Sequence, residues 1–274
     1  MKRTPALLVI LPTALLAACS LEPDDSDPDE SPLVYRVSGR ALPLDPSLPP
    51  PAAAAMTVTV RESWAAVLDG GEDPFPPDAA ILDRPDLRGD LTYESLELEG
   101  AGLVAVYLDD APGQPDELVR SIVDHRIEDG GDYGLNPPVV WRQTVERWAA
   151  GLSIEASELE AAGMMILVYH DRDGRPLAGV SPAALACDLT PVMLSDDLEV
   201  QPEETVTGAS GAVLFVGAPA SLYGYRVAPT ADSPDSSIFT VGAGTSPGAL
   251  FIETLTVEES QRALAGGRLP PEDC

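Results

Sequence analysis

YHDRDGRPLAGV, running from Tyr169 to Val180, places a histidine, two aspartates and two arginines around Gly174. The residue types are those of a metal or catalytic site, but their order is that of a turn. Asp171 to Gly174 (DRDG) supply what a tight hairpin favours: Asp bonds its own backbone, and Gly accepts a positive φ. MMILVYH, Met164 to His170, reads as a buried strand because it is a short apolar run with β-branched and aromatic residues. His170 is then the end of that strand, and Pro176 to Val180 begin the returning one.

Downstream the same punctuation repeats. TPVML, ETVTG, AVLFVG, SLYGYRVA, SSIFTVG and ALFIETLTV are each broken off by Gly, Pro, Asp or Ser. Short strands at this spacing are the pattern of a β-sandwich. YHDRDGRPLAGV, TGASGAVLFVGAP and LYGYRVA together resemble the carboxypeptidase regulatory-like domain. That family joins a D-x-x-G-x-P-L-x-G-V hairpin to a later T-x-x-x-G turn with an aromatic strand, and to a closing Y-x-V strand. The resemblance spans Gly163 to Val257 and implies a transthyretin/Ig-like β-sandwich. Two features depart from the family pattern: Ala212 to Phe215, and a cysteine-bearing insert from Ala183 to Glu204.

Upstream, MTVTVR (Met56 to Arg61) alternates Met56, Val58 and Val60 with Thr57, Thr59 and Arg61, a strand with one buried face. LVYRVS, LTYESLEL and LVAVYL are further strands, separated by the proline-rich loops ALPLDPSLPPPAAAA and DGGEDPFPPD. VSGRAL and MTVTV, between Val37 and Val60, resemble the opening of the same domain, which leaves a second, degenerate sandwich open. The middle differs. ELVRSIVDHRI, Glu117 to Ile127, is compatible with a helix, although its β-branched residues oppose one. In VVWRQTVERWAAGL, Trp141, Val145, Trp148 and Leu152 share one helical face, and a second short helix is expected from a Ser153 cap to Gly163.

The fold class expected is therefore mainly β. A signal segment at 1–18 and an acidic tether at 19–32 precede a β-rich N-terminal domain at 33–112. A helical connecting segment at 113–162, the sandwich at 163–258 and a C-terminal tail at 259–274 follow.

The N-terminus carries an address. Lys2 and Arg3 precede the apolar run Ala6 to Leu16, which is shorter than the ~20 residues a membrane-spanning helix needs and has the flanks of a secretory signal. The run ends in Leu16-Ala17-Ala18-Cys19, which resembles the lipobox of bacterial lipoproteins. That resemblance implies cleavage before Cys19, acylation of its thiol and, with Ser20 next, the outer membrane, facing either the periplasm or the cell surface. The implied partner is membrane lipid through acylated Cys19, since more than one acyl chain is needed for stable anchoring. LEPDDSDPDESP, Leu21 to Pro32, is too polar to build a core and reads as a solvated tether.

The formal net charge is −29, and Lys2 is the only lysine. Such a chain repels phosphate backbones, so nucleic-acid binding is not expected. Beyond Cys19 the cysteines are Cys187 and Cys274. In an oxidising compartment they are expected to pair, although two free thiols remain the alternative.

Four motifs approach a reactive site and stop short of one. His125 and Glu128 form the H-x-x-E of zinc carboxypeptidases, with His170, the only other histidine, left as a third ligand; a metal-dependent hydrolase built on them is the alternative reading. Gly244 to Gly248 spell G-x-S-x-G, but Pro247 lacks the N–H that the oxyanion hole needs after the nucleophile Ser246. The iron-binding branch of the transthyretin-like fold uses two tyrosines and a close histidine pair, and the two histidines here form no such pair. Asp171, Asp173 and Gly174 begin like a calcium loop but lack its closing glutamate; Glu128, Asp129 and Asp132 form a second acidic loop. No catalytic residue, metal site or cofactor is therefore expected. The leading expectation is a non-catalytic envelope protein. A carbohydrate- or protein-binding module is the other alternative, with Trp64, Trp141 and Trp148 as candidate aromatic contacts.

Overall fold

In chain order the strands are β1 (Val34–Arg40), β2 (Leu42–Pro43), β3 (Met56–Ser63), β4 (Ile81–Asp83), β5 (Thr92–Glu94), β6 (Leu98–Glu99), β7 (Gly102–Asp110), β8 (Arg120–Ile127), β9 (Gly131–Gly134), β10 (Pro138–Val139), β11 (Met164–His170), β12 (Val180–Ala183), β13 (Val192–Leu194), β14 (Val200–Gln201), β15 (Ala212–Val216), β16 (Ser221–Val227), β17 (Ile238–Ala243) and β18 (Ala249–Thr256). Helices α1 (Arg142–Leu152) and α2 (Ala156–Ala162) lie between β10 and β11. This computed structural model describes residues 32–63, 80–100, 102–127, 129–171, 173–183, 191–217, 221–227, 238–243 and 247–256. The fold is mainly β, as the sequence predicts.

A nine-stranded sheet in the order β14-β13-β15-β11-β18-β8-β7-β3-β4 dominates. Its last strand in sequence is near its middle. β18 runs parallel to β11 on one side and to β8 on the other, and β8 in turn pairs with β7, so strands from residues 33–112 and from residues 163–258 lie in one sheet. The sheet is thus continuous across positions 112 and 162. A smaller sheet forms around β1, which pairs antiparallel with β5 and β6 along one edge and parallel with β9 along the other. A third sheet has the order β12-β16-β17.

Side-chain alternation explains the layering. Val58, Val60, Val104, Val106 and Leu108 share one face and form a core with Tyr35, Val37, Tyr93 and Leu98 of the small sheet. This is sheet-on-sheet sandwich packing. Further along the same face, Val145, Trp148, Ala149 and Leu159 of the helices cover Met164, Ile166, Leu214, Leu250 and Ile252. Val123 of β8 packs against both clusters and joins them. On the opposite face, Met165, Leu167, Tyr169, Val213, Phe215 and Phe251 are all buried. A strand covered on both faces loses its polar positions, which is why MMILVYH is continuously apolar whereas MTVTVR alternates.

Several local expectations change. Residues 120–127 are strand, not helix: Ser121, Val123 and His125 face one way while Ile122 faces the other, the period of two that β-branched residues prefer. LTYESLEL splits into β5 and β6, both on β1, because Ser95 takes over the pairing with Val37: its N–H donates to the Val37 carbonyl at 2.8 Å, and its hydroxyl accepts the Val37 N–H at 2.9 Å. ETVTG contains no strand. The α1 helix forms as expected, with Val145 and Trp148 buried, but Thr144 is buried beside them. Ser153 does not cap the second helix; it ends the first one in the left-handed conformation (φ 60°, ψ 37°), and Glu155 precedes α2. Gly163 ends α2, as expected. Among the described residues, no helix is long and apolar enough to cross a membrane.

Candidate functional site

The charged stretch that opens the question is used up by its own architecture. Asp171 Oδ1 accepts the N–H groups of Asp173 and Arg175, each at 2.9 Å, and the Asp171 N–H donates to the Arg175 carbonyl at 2.8 Å. Gly174 takes φ +73°, which only glycine adopts at no cost. The chain then does not return along β11. One bridge joins His170 to Pro176, after which β12 pairs with β16 in another sheet. The turn is a corner at which the chain changes layers.

Thr207 and Gly211 hold that corner. Thr207 Oγ1 accepts the Val180 N–H at 3.1 Å and donates to the Leu177 carbonyl at 2.9 Å. The Thr207 carbonyl accepts the Gly179 N–H, and the Thr207 N–H donates to the Val180 carbonyl, both at 2.8 Å. Gly211, at φ +64°, lies so close that a Cβ would meet the Tyr169 carbonyl oxygen at 2.5 Å and the Leu177 nitrogen at 2.9 Å. The two ends of T-x-x-x-G therefore clamp the two sides of D-x-x-G-x-P-L.

The structure brings no reactive set together from the residues it describes. His125 is exposed on β8, its ring tilted against Tyr133 with centroids 5.2 Å apart. His170 ends β11. Strand β18 stands between the two, and its ladder with β8 ends at Ile122, short of His125. Glu128 lies outside the described residues, as do Trp64, Ser246 and the lipidation and disulfide positions Cys19, Cys187 and Cys274. Asp129 presents only its backbone to Tyr133, whose hydroxyl donates to its carbonyl at 2.5 Å. Among the described residues, no group of three or more His, Cys, Asp or Glu side chains is placed to hold a metal ion. Trp148 is buried, its Nε1 donating to the Leu198 carbonyl at 2.7 Å; Trp141 is half-buried and donates to the Pro49 carbonyl at 3.0 Å. Trp148 therefore offers no open aromatic face.

Among the described residues, one concave feature is marked by no motif. On the outer face of the small sheet, a groove of about 580 Å³ is lined by Arg36, Arg40, Arg88, Asp132 and Asn136, with Ser38 in its floor. Alternation along VYRVSGR puts Arg36, Ser38 and Arg40 outward while Tyr35 and Val37 point to the core. Gly39 is required beneath: a Cβ there would lie 1.8 Å from the Leu135 carbonyl oxygen. Arg36 donates to Glu97 at 2.7 Å, and Glu94 stands between Arg36 (4.0 Å) and Arg88 (3.3 Å). Arg40 differs: its Nε donates to the Asp90 carbonyl at 3.1 Å, and its main-chain N–H donates to Asn136 Oδ1 at 2.9 Å. Asp90 is held below the usual carboxylate range chiefly by bonds from the Thr92 hydroxyl and N–H. The signal that finds this face is the period-two arginine–serine–arginine of β1 in a chain otherwise poor in cations.

No family model matches the chain. No curated protein matches it either. Solved structures share partial likeness. A double-mutant form of the shaft pilin SpaA from Lactobacillus rhamnosus GG is 9% identical, with 88% of this chain and 100% of that one covered, at a TM-score of 0.26. GBS52, a minor pilin of Streptococcus agalactiae, is 12% identical, with 81% and 94% covered, at 0.25. The Bacillus anthracis TIE protein is 9% identical at 0.24; 82% of this chain is covered, but the chain spans only 34% of that protein. TM-scores this low establish neither a shared fold nor a shared role.

Proposed function

We propose that this chain is a lipid-anchored cell-envelope protein whose β-sandwich body has a structural or binding role and carries out no catalysis. The observation that carries the reading is Leu16-Ala17-Ala18-Cys19 after a short apolar run and before an acidic tether. Acylated Cys19 fastens the chain to the outer membrane, and the tether holds the body clear of the lipid. The body is a relative of the carboxypeptidase regulatory-like domain. In support, Asp171, Gly174, Thr207 and Gly211, four residues of the signature, each have a structural task at the corner. Cys187 and Cys274 pair, tying the C-terminal tail to the sandwich.

The binding alternative gains a specific observation in the arginine groove on the small sheet. The hydrolase alternative gains none: His125 and His170 stand on strands that are not neighbours. Mass spectrometry of the protein isolated from membranes tests the proposal. The expected N-terminal peptide begins at Cys19 and carries the mass of a diacylglycerol thioether. A mature chain beginning elsewhere, or an unmodified Cys19, rejects the anchor.

A further inference from the structure

We propose that the outer face of β1, β5 and β9 binds an acidic saccharide, with its carboxylate on Arg40 and its hydroxyls on Asn136, Ser38 and Asp132. This rests on the reading of the body as a binding module and is independent of the anchor.

The choice of ligand follows from which polar groups are already engaged. Arg36 and Arg88 are neutralised by Glu97 and Glu94. Among the described residues, the terminal nitrogens of Arg40 form no ion pair; its Nε donates to the Asp90 carbonyl, and its charge acts on the Asp90 carboxylate only from beyond ion-pair distance. A guanidinium fork with two open nitrogens matches a carboxylate in a planar, bidentate fit. Asn136 spends its oxygen on the Arg40 N–H, which fixes the amide and leaves its NH₂ as a donor. The Asp132 carboxylate and the Ser38 hydroxyl have no recorded hydrogen bond among the described residues, and Asp132 stands opposite Arg36 in the β1–β9 register. The open groups are therefore one cationic fork, a neutral donor, a hydroxyl and one anionic acceptor.

A polycarboxylate would meet Asp132, Glu94 and Asp90 as repulsive neighbours. A neutral sugar would leave Arg40 unused. A sugar acid uses all four, its carboxylate on the fork and its hydroxyls donating to Asp132 and accepting from Asn136. Space is available as well. Ser38 lies opposite Gly134, where a Cβ would meet nothing within 4 Å, so the floor is low. The groove volume of about 580 Å³ lies within the range of small-molecule sites.

Calorimetric titration of the full chain in detergent with a trisaccharide that carries a single carboxylate, one glucuronic acid on xylobiose, tests this. The controls are a neutral xylose trimer and a hexaglutamate peptide. The acidic trimer is expected to bind, and the neutral one at least about tenfold more weakly. Arg40→Gln is expected to weaken binding by about tenfold or more, Arg40→Lys by less, and Asp132→Asn by a few-fold. Arg120→Gln, on the larger sheet, should leave it unchanged. Unchanged circular dichroism and urea midpoints for Arg40→Gln establish that the fold is intact.

Equal binding by wild type and Arg40→Gln overturns the proposal. So does equal binding of the neutral trimer, hexaglutamate binding as tight as the sugar acid, or no heat up to ~10 mM ligand. Any of these, in a chain whose Cys19 is lipidated, rejects the ligand and leaves the anchor standing.

Discussion

Thr207→Val removes a single hydroxyl from the corner that joins two sheets. Thr207 is 2% exposed, and its Oγ1 serves the Val180 N–H at 3.1 Å and the Leu177 carbonyl at 2.9 Å. Valine has nearly the same shape, so packing changes little. The main-chain bonds from Gly179 to Thr207 and from Thr207 to Val180 survive. What remains is one donor and one acceptor stranded beneath the surface, each costing about 1–3 kcal/mol. Allowing for the apolar gain of a buried methyl, the variant should lose about 2–4 kcal/mol. Thr207→Ser keeps both hydrogen bonds and loses one methyl, costing about 1 kcal/mol. Equilibrium urea unfolding followed by circular dichroism separates the two, since the valine variant's midpoint should fall by about 1 M or more. A valine variant within ~0.5 kcal/mol of wild type, or a serine variant as weak as valine, refutes the idea that this hydroxyl holds the corner together beside the main-chain bonds.

Three further outcomes follow from the packing. Gly39→Ala drives a Cβ into the Leu135 carbonyl, the acceptor for the buried Tyr93 hydroxyl at 2.5 Å, and should lower stability by about 2–4 kcal/mol in calorimetry while Ser38→Ala does not. Trp148→Phe loses the bond to Leu198 and should cost about 1–3 kcal/mol, with loss of the blue-shifted component of tryptophan emission. For Asp45, burial opposes ionisation, but bonds from the Ser47 hydroxyl and N–H and the Arg147 guanidinium outweigh it and hold the carboxyl below its usual range. Its contribution is therefore complete above the unfolded value of about 4 and is lost as pH falls through the lower folded value. Thermal melts against pH should show Asp45→Asn with a shallower acid-side slope than wild type.

The legible parts of the fold are those where one physical rule acts alone. MTVTVR alternates because Met56, Val58 and Val60 enter the apolar core while Thr57 and Arg61, flanking Thr59 on the other side, stay part-exposed, and MMILVYH is uniformly apolar because both of its faces are buried. Val145 and Trp148 mark α1 because both lie on its buried stripe, which also takes in Thr144 and Ala149. The failures lie where two rules compete. ELVRSIVDHRI has apolar residues compatible with a helix, yet it sits between β7 and β18, where buried Ser121 is satisfied only by donating to the Pro138 carbonyl at 2.5 Å. ETVTG has strand composition, but its pairing with the neighbouring segment is confined to Thr207, whose main chain and hydroxyl both bond there. Nor does local pattern reveal that β18, far along the chain, would lie between β11 and β8. The groove was half legible: the alternation of Arg36, Ser38 and Arg40 is in the sequence, but Arg88 and Asn136 arrive from loops, and the approach of the segment at Leu135 and Asn136 depends on Gly39.

The central claim is the anchor, and detergent phase partitioning of wild type and Cys19→Ala tests it most directly. Wild type should enter the detergent phase and incorporate labelled fatty acid, while Cys19→Ala should do neither and should lose its association with the membrane fraction. A Cys19→Ala protein that still partitions with detergent and membranes would contradict the account.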